Sequence, residues 1–224
     1  MFKKIIYSRN KLDLFGYQII FIKKKDRGFS AINRNTKESI NKAVNKNTYY
    51  GFKKKVSFYK SIISLTQLNL SNKAVLDVSC GTGVLCEVIS SMFTPIPFCA
   101  YDFSESCIEV TKSLLIPNLN CAVHSIYEPI DDRYDVVFCI ETLEHLLYPK
   151  IALNNILEAL GKNGMAIITV PNGKLDTYEQ HIHFWSIDSW RLFLSESINE
   201  SDYFVESGFF YEHQMHLYAK IVRR

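Results

Sequence analysis

Short apolar runs alternate along most of this chain with stretches in which apolar residues recur every three or four positions. The runs have the length of buried strands, and the recurring positions are typical of amphipathic helices. Strands are predicted at 74–78, 98–101, 120–123, 136–140 and 166–170, and helices at 84–93, 107–115, 151–160 and 187–196. Alternation of this kind indicates a parallel sheet with helices on both faces, so the predicted fold class is α/β.

The end of the chain and the approach to the first core strand depart from that alternation. Two last segments, 203–212 and 215–222, alternate in the manner of strands and predict a closing hairpin. Ahead of the first core strand, 53–68 has helical spacing and predicts a helix that leads into the sheet. We assign 49–224 to one domain, a length that fits a single α/β unit.

Residues 1–48 form an N-terminal extension with a different composition. Within it, 15–24 fits a strand or the end of a hairpin, and 33–46 is polar and fits a surface helix or a mobile stretch. Residues 1–60 carry 16 Lys and Arg against 3 Asp and Glu, whereas the remainder carries 10 against 20. This asymmetry indicates an anionic partner, such as RNA, a membrane surface or a phosphorylated carrier, or else a compositional bias toward solvated lysines.

The first core strand runs into a glycine-bearing turn, in the sequence VLDVSCGTG at 75–83, and then into a helix. Asp102 follows 19 residues after Gly83, at the end of the second predicted strand. These are the parts of a nucleoside-binding βαβ unit, in which glycine lets the backbone approach the ligand and the acid binds ribose hydroxyls. The third glycine of the dinucleotide fingerprint is absent, and Asp77 would repel a pyrophosphate. The pattern favours a ligand with an ammonium group, such as S-adenosylmethionine.

Four motifs in this order carry a resemblance to a known family. They are VLDVSCGTG at 75–83, AYDFSESCIEVTK at 100–112, YDVVFCIETLEHL at 134–146 and LGKNGMAIITVPNG at 160–173. From about residue 49 onward the chain resembles the class I S-adenosylmethionine-dependent methyltransferases. Within them it is most similar to the broad small-molecule group that includes ubiquinone-pathway and sugar O-methyltransferases. The resemblance implies a Rossmann-like, seven-stranded, mostly parallel sheet with helices on both faces and an antiparallel last strand.

The resemblance also implies the residues of the cofactor pocket. They are Asp77, Ser79, Gly81, Gly83, Asp102, Phe103, Ser125, Ile126 and Ile140. Asp102 would bind the ribose, Phe103 would lie against adenine, and the Ser125 hydroxyl and Ile126 N–H would meet the edge of the base. The chain departs from the family pattern at Ser79, where glycine is usual, and at Ser125, where an acid is frequent. If position 79 requires positive φ, serine costs about 1 kcal/mol or more there.

Transfer of a methyl group to a hydroxyl requires proton removal, and a positioned base contributes roughly 10²- to 10⁴-fold. Two clusters at predicted strand ends offer titratable groups, and His145 and His181 are the candidate bases. The same region allows a metal interpretation. Glu141, Glu144 and His145, joined by His181 or His183, resemble the set that binds a divalent ion in small-RNA terminal ribose methyltransferases and in some quinone-pathway enzymes. Carboxylate ligands favour Mg²⁺ or Mn²⁺ here, and imidazole ligands favour Mn²⁺ or Zn²⁺. His183, beside Phe184 and Trp185, is interpreted as packed.

The sequence thus predicts an S-adenosylmethionine-dependent methyltransferase that acts on oxygen of a small molecule, such as a sugar or secondary-metabolite precursor. Two alternatives stay open: a metal-assisted RNA terminal ribose 2′-O-methyltransferase, and a catalytically inactive methyltransferase fold that serves as a binding protein. No apolar run reaches 18 residues, so no membrane-spanning segment is predicted. Six cysteines without a C-x-x-C pair favour a reduced, cytoplasmic protein.

Overall fold

The computed structural model describes residues 11–14, 17–20, 35–47, 56–93 and 96–224. Near the N-terminus, β1 (Lys11–Leu14) and β2 (Tyr17–Ile20) form an antiparallel pair. A strand or the end of a hairpin was predicted at 15–24, and β2 lies within this range. Residues 15–16 and 21–24 lie outside the described part of the chain. The polar segment 33–46 contains a helix, α1 (Lys37–Asn45), which begins where the Thr36 hydroxyl accepts a hydrogen bond from the Ser39 N–H.

The rest of the described chain contains seven strands and five helices. In chain order these are α2 (Val56–Thr66), β3 (Val75–Val78), α3 (Val84–Met92), β4 (Phe98–Asp102), α4 (Glu105–Ser113), β5 (Leu119–Val123), β6 (Tyr134–Ile140), α5 (Pro149–Glu158), β7 (Leu160–Pro171), α6 (Ile187–Ser197), β8 (Tyr203–Phe210) and β9 (His216–Arg223). Short 3-10 turns at Leu143–His145 and Glu212–Gln214 follow β6 and β8.

The seven strands form one sheet in the order β5-β4-β3-β6-β7-β9-β8. The five strands from β5 to β7 are parallel to their neighbours, and β9 inserts antiparallel between β7 and β8. The predicted Rossmann-like sheet, including its antiparallel last strand, is therefore confirmed. Parallel strands buried on both faces are expected to be almost continuously apolar, as β6 is from Val136 and β7 is from Met165.

Alternate residues of the central strands enter two separate cores. Val136 and Phe138 of β6 pack with α2 and α3 on one face. Val137 and Cys139 pack with α5 and α6 on the other, where Trp190 is fully buried. The period-two alternation of a strand produces this division. None of the helices in the described part of the chain is long and apolar enough to cross a membrane.

Several element boundaries differ from the sequence predictions for local reasons. The helix predicted at 107–115 begins two residues earlier, because the Ser104 hydroxyl accepts a hydrogen bond from the Cys107 N–H and caps α4. The fifth core strand begins at Leu160 rather than residue 166. Leu160 already pairs with Tyr134, and the register shifts before the regular pairing resumes at Val136 and Met165.

Candidate active site

The turn between β3 and α3 holds three residues in the left-handed region. The φ angles are 64° at Ser79, 55° at Gly81 and 80° at Gly83. A Cβ at position 83 would lie 2.8 Å from Leu114 Cδ1 and 2.8 Å from Thr111 Cγ2, so glycine is required by space as well as by φ. Ser79 adopts the conformation in which serine is strained, and the turn keeps its shape despite that cost.

Asp102, the last residue of β4, lies against this turn with its carboxylate buried. Its Oδ2 accepts a hydrogen bond from the Gly81 N–H at 2.9 Å, and its Oδ1 accepts one from the Ser104 N–H at 2.9 Å. Burial raises the pKa of the Asp102 carboxyl to about 6, although these two hydrogen bonds lower it. Each oxygen keeps a further lone pair, so the carboxylate can still accept two hydroxyl hydrogens.

The predicted adenine contacts lie at neighbouring strand ends. Phe103 follows β4 and is half-buried, and Ile140 ends β6. Ser125 and Ile126 follow β5, where the Ser125 Oγ accepts a hydrogen bond from the Tyr127 N–H at 3.3 Å. The hydroxyl hydrogen of Ser125 is not used in that bond, so this side chain is left able to donate to a ring nitrogen.

Asp77 is buried within β3, two residues before the turn begins to bend. The Cys86 thiol donates a weak hydrogen bond to Asp77 Oδ2, at 3.6 Å. On α2, burial raises the pKa of the Tyr59 phenol, and the charges of Asp77 and Glu141 raise it further. The Thr82 Oγ1 atom is buried and has no hydrogen-bond partner among the described residues. A buried hydroxyl without a partner is suited to hydrogen-bond a polar group of a bound ligand.

Two asparagines, one in α1 and one just before it, connect residues of the two halves of the sheet edge. Asn41 Nδ2 donates to Glu105 Oε2 at 3.1 Å, and Asn41 Oδ1 accepts hydrogen bonds from the Ser104 hydroxyl and the Ser106 N–H. Just before the helix, Asn35 Nδ2 donates to the carbonyl oxygens of Gln180 at 2.9 Å and His145 at 3.3 Å. The segment thus contacts loops from both halves of the sheet edge.

A carboxylate and two imidazoles meet after β6. Glu144 is fully buried, and its Oε1 lies 3.8 Å from His145 Nε2 and 3.9 Å from His181 Nε2. One potential ligand atom from each of these residues lies within 4.8 Å of the others. The two imidazoles are also in edge contact, with ring centroids 4.6 Å apart. The predicted pairing of the two sequence clusters is therefore present in the fold.

The remaining ring nitrogens of these imidazoles face acceptors. His145 Nδ1 lies 3.3 Å from the carbonyl oxygen of Gln180, and His181 Nδ1 contacts the Asp176 carboxylate. By contrast, His183 Nε2 lies 2.8 Å from the Leu146 carbonyl and the ring stacks on Trp185, as its interpretation as a packed residue requires. A carboxylate or carbonyl at the second nitrogen is the arrangement that fixes the tautomer of metal-ligating histidine.

Glu141 lies apart from this group. Its Oε2 is 3.0 Å from Nδ1 of His216, which begins β9. Nothing in the local sequence around His216 signals that contact, because the two residues are 75 positions apart. Glu144, His145 and His181 are the residues that the structure brings together, whereas the metal hypothesis from the sequence also included Glu141 with Glu144, His145 and either His181 or His183.

A protein-family profile described as "Methyltransferase domain" matches residues 52–200 of the chain. Two curated relatives are similar in sequence. The mitochondrial ubiquinone biosynthesis O-methyltransferase of Schizosaccharomyces pombe is 32% identical over 106 residues, which are 44% of this chain and 38% of that protein. The ubiquinone biosynthesis O-methyltransferase of Coxiella burnetii is 30% identical over 117 residues, which are 50% of this chain and 49% of that protein. The match thus spans less than half the length of either relative.

Solved structures share the architecture at low sequence identity. The plantazolicin methyltransferase BpumL, solved in complex with SAH (S-adenosylhomocysteine), has a TM-score of 0.65 and 16% identity to this chain. The alignment covers 87% of this chain and 97% of BpumL. At this identity the likeness bears on the fold alone, and it agrees with the sheet order described above.

Proposed function

Because the chain belongs to the methyltransferase-domain family, within the class I S-adenosylmethionine-dependent methyltransferases, we propose that it transfers a methyl group from S-adenosylmethionine to a hydroxyl oxygen of a small molecule. In this proposal the Asp102 carboxylate binds the two ribose hydroxyls, and the backbone of the 79–83 turn lies against the methionine tail. Asp77 attracts the ammonium group, and the orphaned Thr82 hydroxyl donates to the methionine carboxylate.

One observation supports the part of the proposal that concerns the methyl acceptor. The Nε2 atoms of His145 and His181 both lie next to the buried Glu144 carboxylate. When Nδ1 of His145 and Nδ1 of His181 donate to the oxygen acceptors that they face, the Nε2 atoms of the neutral rings carry the lone pairs. Their Nε2 lone pairs then point toward the same buried carboxylate. Lone pairs and a carboxylate at these distances repel one another unless positive charge lies between them.

The donor set fits a divalent cation held by Glu144, His145 and His181: the carboxylate suits Mg²⁺ or Mn²⁺, and the two imidazoles favour Mn²⁺ or Zn²⁺. Asp176 would orient His181, and the Gln180 carbonyl would orient His145. When bound, such an ion acts as a Lewis acid that lowers the pKa of a coordinated hydroxyl. An acceptor with two neighbouring hydroxyls suits this site. Sugars and phenolic precursors have that feature, and the relatives named above are O-methyltransferases.

A direct test measures Mn²⁺ binding by calorimetry in the metal-free full chain, with and without Glu144→Gln. Removing a ligand carboxylate should weaken Mn²⁺ binding by about 100-fold. Glu109→Gln, at an exposed position of α4, is the matched control and should bind Mn²⁺ as the parent does. Methylation of a panel of diols and phenols should then fall in chelator. Full turnover in chelator would remove the cation and leave His145 and His181 with their predicted role as bases.

The two alternatives have separate signatures. An RNA acceptor would show a steep loss of binding with salt, because phosphate contacts release counterions. An inactive binding protein would bind S-adenosylhomocysteine without turnover of any acceptor, or would not bind it at all. We favour the small-molecule acceptor because the relatives named above are O-methyltransferases of ubiquinone biosynthesis.

A further inference from the structure

A second carboxylate–imidazole pair lies at the same sheet edge, in the core face opposite the Glu144 group. Glu141, directly after β6, has φ of 51°, and its N–H is held by the Thr169 carbonyl at 3.0 Å. This backbone geometry directs the side chain to His216, whose Nδ1 lies 3.0 Å from Glu141 Oε2. Strained backbone at such a position is frequent at functional sites.

His216 lies at the same edge of the sheet as Glu141, although it is remote in sequence. It is paired with Pro171, the last residue of β7, because β9 runs antiparallel. Asn172 links the end of β7 to the turn before β9. Its side chain donates to the Gln214 carbonyl at 3.0 Å, and its N–H donates to the Met215 carbonyl at 2.8 Å. The turn before His216 therefore lies beside the carboxyl end of β7.

The first turn of α2 connects this pair to the cofactor side. The Phe58 ring packs on the His216 ring, with centroids 4.8 Å apart. The next residue, Tyr59, experiences the charges of both Asp77 and Glu141. The Glu141–His216 pair and Asp77, the acid proposed to bind the methionine ammonium, thus both lie near the first turn of α2.

The tautomer of His216 follows from its partner. Because Nδ1 faces a carboxylate, Nδ1 carries the hydrogen and Nε2 keeps the lone pair. Nε2 of His216 has no hydrogen-bond partner in the described part of the chain, unlike Nε2 of His183. Phe58, Phe210 and Tyr211 surround the ring and leave its side chain 19% exposed. Glu141 and Tyr211 are the titratable groups that the structure shows in contact with it.

We propose that His216 is the catalytic base of the methyl transfer and that Glu141 is its positioning residue. The inference rests on the proposed function. As the acceptor oxygen bonds to the methyl carbon, the carbon–sulfur bond breaks and its electron pair stays on sulfur, which becomes the neutral thioether. The hydroxyl proton moves to His216 Nε2, and the resulting imidazolium is stabilised by Glu141 until the proton passes to water. An imidazole oriented by a carboxylate is a recurrent base in group transfer.

His216→Asn separates this role from a structural one, since the asparagine amide nitrogen can replace Nδ1 as the donor to Glu141. With tritiated S-adenosylmethionine and 3,4-dihydroxybenzoate as the probe acceptor, kcat should fall about 100-fold while KM and S-adenosylhomocysteine affinity stay unchanged. The matched control is His213→Asn, at an exposed residue of the same turn that has φ of 51°. Exogenous imidazole should restore turnover to His216→Ala, which a packing defect would not allow.

Two results would overturn the inference. One is a parental kcat in His216→Asn, which would leave the proposed function standing. The other needs no acceptor: the imidazole ¹⁵N spectrum should show His216 with a protonated Nδ1 and a bare Nε2, and should lose that state in Glu141→Gln. A hydrogen on Nε2 of the parent would exclude the base role. Failure of the parent to bind S-adenosylhomocysteine would instead contradict the proposed function.

Discussion

Two halves of one sheet edge are stabilised in different ways. In the cofactor half, at the ends of β3 and β4, the Asp102 carboxylate is met by two backbone N–H groups. In the acceptor half, after β6 and β7, the Glu144 carboxylate is met by imidazole nitrogens contributed by two loops. Main-chain dipoles fix the first group, whereas the second depends on the protonation and ligation of side chains.

Because of this difference, mutations in the two halves should affect different measurable properties. The cofactor half is preorganised by backbone conformation, so changes there should alter donor affinity or folding. The acceptor half contains convergent lone pairs and carboxylates, so changes there should alter cation binding and turnover and leave donor affinity intact. A variant that affected both halves equally would contradict the division.

The largest effect is expected from Asp102→Ala. Loss of two charge-assisted hydrogen bonds to ribose, worth about 1.5–3 kcal/mol each, should weaken S-adenosylhomocysteine binding by about 10³-fold in calorimetry. Asp131→Ala, at an exposed loop position, is the control and should bind normally. Mn²⁺ binding should survive in Asp102→Ala. An unchanged affinity for the nucleoside would remove Asp102 from the site.

Gly83→Ala should come next, through folding. The new Cβ would meet Leu114 and Thr111 at 2.8 Å in a residue with φ of 80°, so the free energy of unfolding should fall by about 3 kcal/mol. Gly161→Ala is the matched control, because its nearest contact would be an ordinary 3.4 Å to the Tyr134 carbonyl. Urea denaturation measures both. Equal stability in the two variants would show that the turn tolerates a side chain.

The effect of pH on S-adenosylhomocysteine affinity should be smaller than the effects of Asp102→Ala and Gly83→Ala. Because burial raises the pKa of Asp102 to about 6, the carboxylate that accepts the ribose hydrogens is lost as the pH falls through that value. Affinity for S-adenosylhomocysteine should be constant above about pH 7 and fall by up to tenfold per unit below about pH 6. Asp102→Asn cannot ionise, and its weaker binding should be independent of this transition. A parent profile that is flat down to about pH 5 would contradict this.

Ser79→Gly should have the smallest effect and the opposite sign. Serine at φ of 64° is strained, while glycine costs more unfolded-chain entropy, so a net gain of about 0.5–1 kcal/mol in stability is expected. Ser90→Gly, inside α3, should lose a similar amount because its backbone is helical. Thermal unfolding of the two variants measures the contrast, and a loss of stability in Ser79→Gly would mean that the hydroxyl is needed in the turn.

The cofactor half could be predicted from sequence because its parts are contiguous. A strand, a turn and a helix follow one another in 75–92, and strand order then brings Asp102 beside Gly81. The alternation of apolar runs likewise predicted the sheet. Boundaries were missed where side chains or pairing act locally, as at the Ser104 cap and the early start of β7.

The acceptor half could be predicted only in part. The local sequence indicated Glu144, His145 and His181 as candidates. Which imidazole nitrogen faces which carboxylate depends on loop conformations that the sequence does not specify. The Glu141–His216 contact arises because β9 inserts antiparallel beside β7 and brings its first residue to the strand ends. Asn35 and Asn41 gave no signal either, since their partners lie in loops and helix ends far along the chain.

Calorimetric titration of S-adenosylhomocysteine into the parent chain, at about pH 8 where Asp102 is ionised, tests the central claim most directly. The account predicts saturable binding of one molecule per chain with a Kd in about the micromolar range, near −8 kcal/mol. A folded protein that gives no saturable heat with this nucleoside would contradict the account and leave only the fold.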